Sequence, residues 1–359
     1  MIYNLTKKFD DKYMSSRIST FFDYDDTWTF ISKDENATIY KENSELLCII
    51  CRKVISDDLC DIAEDSFKKA GMMVTTNRGI AAGQKSRIKK NNYDQGLSVN
   101  SSIVGYIDSA NHKRPCRLTQ FTKNNEEKFI NALPFINRVD ELFKNNVYDK
   151  YLKQYNRAKL NEYHIHDTSF STITVNYNFR TALHKDVGDF LDGFGNITVC
   201  NKNIEGGHLL FPQYKLAIEL DKGDYCALNV HEWHCNSEII YNTGDAYRLS
   251  FVFYLRDKLN KCGKVNNILN KLLGPLSGKK WNTEILFDDI FKANGAPIKV
   301  KTGEKSWTMT SDRYILEYKN KRYKMIDKMK NTIIYNLMEA WEYSQEESKN
   351  HLQFQVDGD

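Results

Sequence analysis

Between Phe170 and Asp257 the chain breaks into six short β-prone runs, and this spacing restricts the fold more than any other feature. The runs are Ser171 to Tyr177, Ile197 to Cys200, His208 to Phe211, Lys215 to Leu220, Asp224 to Val230 and Tyr247 to Leu255. Turn signals separate them: Asp192-Gly193, Glu205-Gly206-Gly207, Lys222-Gly223-Asp224 and Thr243-Gly244-Asp245. Many short strands at such intervals predict a sandwich or barrel. A double-stranded β-helix of the jelly-roll kind fits, because its mouth gathers side chains from strands distant in sequence.

What those strands carry at their ends is chemically specific. His184-Lys185-Asp186 follows the first run, His234 precedes the last, and Arg248 opens the last. Two imidazoles and a carboxylate on one face of a metal leave three coordination positions open, the arrangement of non-haem Fe(II) oxygenases. A fixed arginine can grip a dicarboxylate through two charge-assisted hydrogen bonds. Alternation along a strand puts Ser250 on the same face as Arg248, where its hydroxyl adds to that grip. His231 competes with His234 as the distal ligand. His234 is preferred because Asn236, two residues on, shares its face and can support it. His208 is a weaker alternative, and His164 and His166 read as surface or edge residues.

Composition sets the frame. A chain of 359 residues with 41% hydrophobic content accommodates one large domain with an appendage. The net charge of +4 permits a nucleic-acid partner without requiring one. The eight cysteines are scattered. Cys48-Ile-Ile-Cys51 has zinc-knuckle spacing but no second ligand pair, so it reads as part of a buried strand. No apolar run is long enough to span a bilayer and no leader pattern opens the chain, so a soluble, intracellular protein is expected. The richness in Lys, Asn, Ile and Tyr suits an AT-rich genome, such as that of a virus, phage or protist, and identifies none of them.

Upstream, strands are expected over Ile39 to Val54, a helix over Ser56 to Gly71, and two helices around Pro134 over Asn124 to Tyr155. A small-residue loop covers Thr75 to Gly83, followed by the basic residues Lys85, Arg87, Lys89 and Lys90. The expected class is α+β. Residues 1–257 form one domain, with its jelly roll at about 170–257 and N-terminal α/β support. Residues 258–359 form a helical, lysine- and aromatic-rich C-terminal region, with helices over Ile315 to Tyr343.

Several segments in order resemble the TET/JBP family of Fe(II)/2-oxoglutarate nucleic-acid base dioxygenases. They are Thr174 to Asp189 with the His184-Lys-Asp186 triplet, Gly206-Gly-His-Leu-Leu-Phe-Pro212, Gly223-Asp224, Val230-His-Glu-Trp-His234-Cys-Asn236 and Tyr247-Arg248-Leu-Ser250 through Arg256. Thr76-Asn77-Arg78-Gly79 through Gly83 and Pro115-Cys-Arg117-Leu-Thr119 are similar to segments of JBP-like and viral members. The resemblance covers roughly Ile39 to Asp257. It is closer to the JBP-like branch than to animal TET enzymes, since no Cys-rich zinc-binding region precedes the barrel.

The resemblance implies that His184, Asp186 and His234 hold Fe(II). Arg248 and Ser250 would bind 2-oxoglutarate, with Asn176 helping at the metal end. O2 would be the oxidant and ascorbate a stimulant. It implies hydroxylation of the 5-methyl group of thymine or 5-methylcytosine in DNA, either flipped from a duplex or already single-stranded. Asn77, Arg78, Asp189 and Arg117 are the candidate substrate contacts, and the lysine runs are candidate phosphate contacts. Two other readings share these residues: a prolyl or lysyl protein hydroxylase, and a nucleic-acid-binding module with an inactive barrel.

Overall fold

Alternation along Tyr247–Tyr254 sorts its side chains into two environments. Leu249, Phe251 and Phe253 are fully buried, and Phe251 meets Phe67 and Phe135 with ring centroids 6.3 Å and 5.2 Å apart. Arg248, Ser250, Val252 and Tyr254 point the other way and line a cavity. One strand thus joins a helical layer to a chemical site, as period-two geometry requires.

The structure is a computed structural model. It describes residues 1–84, 97–108, 116–161 and 163–261, and the backbone of the strands Ile88–Lys90, Tyr93–Gln95, Ile298–Thr302, Lys305–Met309, Ile315–Tyr318, Lys321–Lys324 and Phe354–Val356. The chain divides into two units. Met1–Gly105, Asn124–Lys159 and His164–Asp257 make the first, and Tyr106–Lys123, Leu160–Tyr163 and Lys258–Asp359 the second.

In the first unit the larger sheet runs Ile2–Leu5, Ala37–Lys41, Leu46–Cys51, Tyr225–Leu228, Gly195–Lys202, Tyr247–Tyr254, Thr172–Tyr177, Val99–Ile107 and Val74–Thr75. A smaller sheet runs Cys235–Asn236, Leu209–Phe211, Leu216–Ile218 and Thr29–Ile31. Both contribute to one core: Ile50, Val199 and Leu228 from the first, Leu209, Phe211, Leu216 and Ile218 from the second. This is the expected jelly roll, and all six runs form strands with ends shifted by a few residues. Thr29–Ile31 and Val99–Ile107 are strands that periodicity did not reveal.

The helix Asp57–Gly71 keeps Cys60, Ala63, Phe67 and Ala70 buried. Asp57 and Asp58 in its first turn and Lys68 and Lys69 in its last complement the helix dipole. Ser56 occupies the N-cap with extended backbone but without a side-chain capping bond. At the other end Gly71 sits so close to the sheet that a Cβ would lie 3.0 Å from Leu249 Cδ1. Three helices, not two, occupy the next stretch: Glu126–Asn131, Leu133–Asn146 and Tyr148–Ala158. Pro134 falls in the first turn of the second, where its missing N–H costs nothing. The additional break is at Val147, whose backbone leaves the helical region.

In the second unit, Lys321–Lys324, Ile315–Tyr318, Lys305–Met309, Ile298–Thr302 and Phe354–Val356 form a five-stranded sheet in that order. The expectation of a helical C-terminal region is therefore corrected over these residues. Ile298-Lys-Val-Lys-Thr302 alternates with period two, a strand signal. Ile315-Leu-Glu-Tyr318 is short and bounded by a reverse connection to Lys321–Lys324, with Ile315 opposite Lys324. The remaining residues of that expected helical stretch, with Trp281 and Trp341, lie outside the described residues, as do Lys85, Arg87 and the side chains of Lys89 and Lys90. Among the described residues no helix is long and apolar enough to cross a membrane.

Candidate metal and cosubstrate site

A short antiparallel pairing brings the two histidines together. His184 N donates to His234 O at 3.1 Å and His234 N to His184 O at 3.0 Å, so the imidazole centroids lie 4.3 Å apart. The pairing continues on both sides, Asp186 N to Val230 O at 3.0 Å and Asn236 N to Thr181 O at 3.0 Å. The Asp186 carboxylate reaches back to both rings, 3.6 Å from His184 Nε2 and 3.7 Å from His234 Nε2. One ligand atom from each of the three lies within 4.8 Å of the others, so among the described residues this group could hold a metal ion.

Each imidazole is oriented through its other nitrogen. His184 Nδ1 is 2.7 Å from Ala182 O and His234 Nδ1 is 2.9 Å from Glu232 O. A carbonyl can only accept, so Nδ1 carries the proton and Nε2 presents its lone pair to the common centre. Burial pushes the His234 imidazolium down to about 4, with neighbouring His184 acting in the same direction, which keeps the ring neutral as a ligand must be. Two neutral nitrogens and one carboxylate oxygen on one face suit Fe(II). Asn236 is not the partner of the His234 ring. It accepts from Thr181 Oγ1 at 2.7 Å and donates to the carbonyls of Gly207 and His208, so it braces the two sheet edges instead. His231 lies apart from the cluster, its Nε2 3.3 Å from Phe190 O, and His208 packs between Tyr24 and Phe30.

Arg248 extends into the same cavity, of about 290 Å³. It is 5% exposed, and among the described residues no carboxylate pairs with it. Burial lowers its guanidinium to about 10, which leaves it charged at neutral pH. Its backbone is clamped to Asn178, whose Oδ1 accepts from Arg248 N at 2.7 Å while Asn178 N donates to Arg248 O at 2.8 Å. Gly207, at φ +65°, makes room for the side chain: a Cβ there would lie 2.9 Å from Arg248 Cδ. A buried cation without an anionic neighbour is costly, and a dicarboxylate ligand would offset that cost.

Ser250, Asn176 and Ser101 are register partners across three adjacent strands. Ser101 Oγ donates to Asn176 Oδ1 at 2.6 Å and accepts from Arg78 Nε at 2.9 Å. This places Arg78 on the cavity wall, as a half-buried cation whose guanidinium is lowered chiefly by desolvation. Asp189 also lines the cavity, and burial together with nearby Asp186 raises its carboxyl well above the usual range. Asn77, beside Arg78 in sequence, is exposed and outside the cavity, its N–H tied to Thr75 Oγ1. Arg117 belongs to the second unit, on the strand Arg117–Leu118. Sequence reasoning missed Ser101 and the cavity-lining Thr174, Tyr254 and Arg256. Continuing the alternation from Arg248 and Ser250 would have reached Tyr254 and Arg256.

A jelly roll holding two histidines, one aspartate and a buried arginine around one cavity defines the class of Fe(II)/2-oxoglutarate oxygenases. Residues 102–257 match Tet_JBP, the oxygenase domain of the 2OGFeDO superfamily. It is 35% identical over 210 residues to the bifunctional helicase and thymine dioxygenase JBP2 of Trypanosoma brucei brucei, covering 58% of this chain and 18% of that protein. It is 27% identical over 242 residues to the thymine dioxygenase JBP1 of Leishmania braziliensis, covering 66% of this chain and 28% of that protein. The chain thus spans less than a third of the length of either relative. A solved structure of NgTET1 in complex with 5mC DNA overlaps 70% of this chain and 92% of its own, at 12% identity and a TM-score of 0.40, too low a likeness to carry weight here.

Proposed function

We propose that this chain hydroxylates the 5-methyl group of a pyrimidine in DNA, thymine before 5-methylcytosine, using Fe(II), 2-oxoglutarate and O2. The observation that carries the reading is that the family-matched stretch contains His184, Asp186 and His234 around one point and, in the same cavity, a buried arginine with which no carboxylate among the described residues pairs. The thymine preference rests on relatives whose names are those of thymine dioxygenases. When bound, Fe(II) with 2-oxoglutarate and O2 supplies the oxidising power that converts the methyl to a hydroxymethyl group.

The protein's own contribution is binding and orientation. His184, Asp186 and His234 hold the ion on one face. Arg248 and Ser250 bind the remote carboxylate of 2-oxoglutarate, and Asn176, fixed by Ser101, faces its metal-binding end. Arg78 and Asp189 meet the polar edge of the base, which must leave the stack or come from a single strand. Asn77 and Arg117 take no part in this reading. The activity belongs to the first unit, and DNA as substrate implies action inside the cell or virus-infected cell.

Nucleoside mass spectrometry of DNA treated with protein, Fe(II), 2-oxoglutarate and ascorbate tests the proposal. New 5-hydroxymethyluracil identifies thymine as the target and 5-hydroxymethylcytosine identifies the methylated cytosine. Unchanged bases on both duplex and single strands would overturn it.

Two substitutions probe the cosubstrate end. Arg248→Lys keeps the charge but not the fork, and hydrogen bonds to charged groups are worth about 1.5–3 kcal/mol. The KM for 2-oxoglutarate should rise by roughly ten- to a hundredfold. Gly207→Ala forces a left-handed alanine and pushes Arg248 Cδ aside, so it should raise the same KM without any change at the metal ligands. Steady-state titration of 2-oxoglutarate reads both, and an unchanged KM in Arg248→Lys would remove Arg248 from the role of clamp.

A further inference from the structure

The segment that follows Asp186 presents aliphatic side chains to solvent at the rim of the cavity. Val187, which lines the cavity, is 88% exposed, and Leu191 is 74% exposed. Isolated exposed aliphatics are ordinary on a protein surface. These two stand on backbone pinned from several sides. Asp186 N donates to Val230 O at 3.0 Å, Phe190 N to Leu255 O at 2.8 Å, Asp257 N to Gly188 O at 3.2 Å and Gly193 N to Phe190 O at 3.0 Å. His231 Nε2 adds a contact to Phe190 O at 3.3 Å. Between these anchors the chain bulges outward at Val187-Gly188, and a Cβ on Gly188 would meet nothing within 4 Å. A rigid bulge holding apolar side chains in water loses their burial energy in the free protein, and regains it where a partner covers them.

The inference rests on the proposed base oxidation. A methyl group on a stacked base cannot reach a cavity walled by buried residues, so the base must be extruded. Extrusion leaves a gap between the flanking base pairs, and proteins that unstack DNA fill such gaps with aliphatic or aromatic wedges. We infer that Val187, assisted by Leu191, is the wedge that occupies the stack when duplex DNA delivers its target base to this cavity. The pinned backbone gives the wedge a fixed distance from Asp186, so insertion and delivery of the base are one movement. Val187 is a positioning residue: it acts on the neighbouring base pairs and not on the reacting methyl group.

The test compares duplex and single-stranded oligonucleotides carrying the same target base. Val187→Ser and Leu191→Ser change exposed side chains, so the fold is expected to survive. On duplex, kcat/KM should fall by about tenfold in Val187→Ser, less in Leu191→Ser, and further when both are combined, since unstacking costs a few kcal/mol. On single strands Leu191→Ser should match the wild type and Val187→Ser should lose far less than on duplex, and Val187→Leu should restore duplex turnover. A duplex with 2-aminopurine next to the target should brighten on binding wild type or Val187→Leu and stay dark with Val187→Ser. Equal losses on duplex and single strands, or a duplex rate untouched by the serine variants, would overturn the wedge while leaving base oxidation standing. Wild-type protein that oxidises only single strands would overturn it also. Wild-type protein that oxidises no base in either form would remove both readings together.

Discussion

Asp186→Ala is expected to give a folded protein that no longer responds to divalent metal. The side chain is about one-third exposed, 34% by area, and its carboxylate lies 3.6 Å and 3.7 Å from the two imidazoles, with nearby Asp189 a like charge that favours its loss. Its removal therefore costs little without metal, and the metal-free variant should melt close to the metal-free wild type. With metal the two diverge. An ion at a hundred times its dissociation constant stabilises the wild type by about 2.7 kcal/mol. For a unit of this size that is roughly a 5–10 °C rise in Tm. Two imidazoles alone hold Fe(II) far more weakly, so the variant should show little of that rise. Turnover should fall by more than the roughly 10–100-fold typical of losing an outer hydrogen-bond partner. Thermal melts with and without Fe(II) or Mn(II), run anaerobically, read the binding half, and succinate release reads the other. A variant that keeps the full metal-dependent shift would place the ion elsewhere and end the triad assignment.

The site was far more legible in the sequence than its supports. His184, Asp186, His234, Arg248 and Ser250 announced themselves because metal and carboxylate chemistry demands particular side chains, and strand alternation fixes which share a face. The partners that aim the imidazoles are the backbone carbonyls of Ala182 and Glu232, and a carbonyl has no signature of its own. Asn236 was assigned to His234 on parity alone, whereas its hydrogen bonds run to Thr181, Gly207 and His208. Ser101 was hidden because Val99–Ile107 opens with the polar run Asn100-Ser101-Ser102, which masks its strand period. Thr29–Ile31 is three residues long and pairs in parallel with Leu216–Ile218, a partner remote in sequence. In the C-terminal stretch lysines alternate with apolar residues over distances too short to distinguish a helical face from a strand, and the reading chose the wrong period there.

Gly223-Asp224, met first as a turn within the family-like pattern, proves to be a structural lock, and breaking it should produce the largest loss of stability in the first unit. Arg52 Nη1 lies 2.8 Å from Asp224 Oδ2, with side chains 6% and 0% exposed. The guanidinium also donates to the carbonyls of Glu219 at 2.6 Å, Ser32 at 2.6 Å and Glu35 at 2.8 Å. Asp224 in turn accepts from the backbone of Lys53 at 3.0 Å and of Asp221 at 2.9 Å. The pair thus ties the ends of Leu46–Cys51, Thr29–Ile31 and Leu216–Ile218 to the turn that begins Tyr225–Leu228, joining the two sheets at the end of the core. Gly223 completes the turn at φ +83°, where a Cβ would lie 2.7 Å from Ile55 O. Arg52→Ala strands a buried carboxylate and three carbonyls, and breaking such a pair from one side costs about 3–5 kcal/mol. Denaturant melts should show that loss in Arg52→Ala. The double variant Arg52→Met, Asp224→Asn should recover part of it, because asparagine removes the buried charge and keeps one acceptor, for Lys53 N, while its amide nitrogen leaves Asp221 N without one. Turnover per folded molecule should match the wild type in both, since neither residue lines the cavity. A stable Arg52→Ala protein with impaired turnover would reverse the assignment and move this pair from scaffold to chemistry.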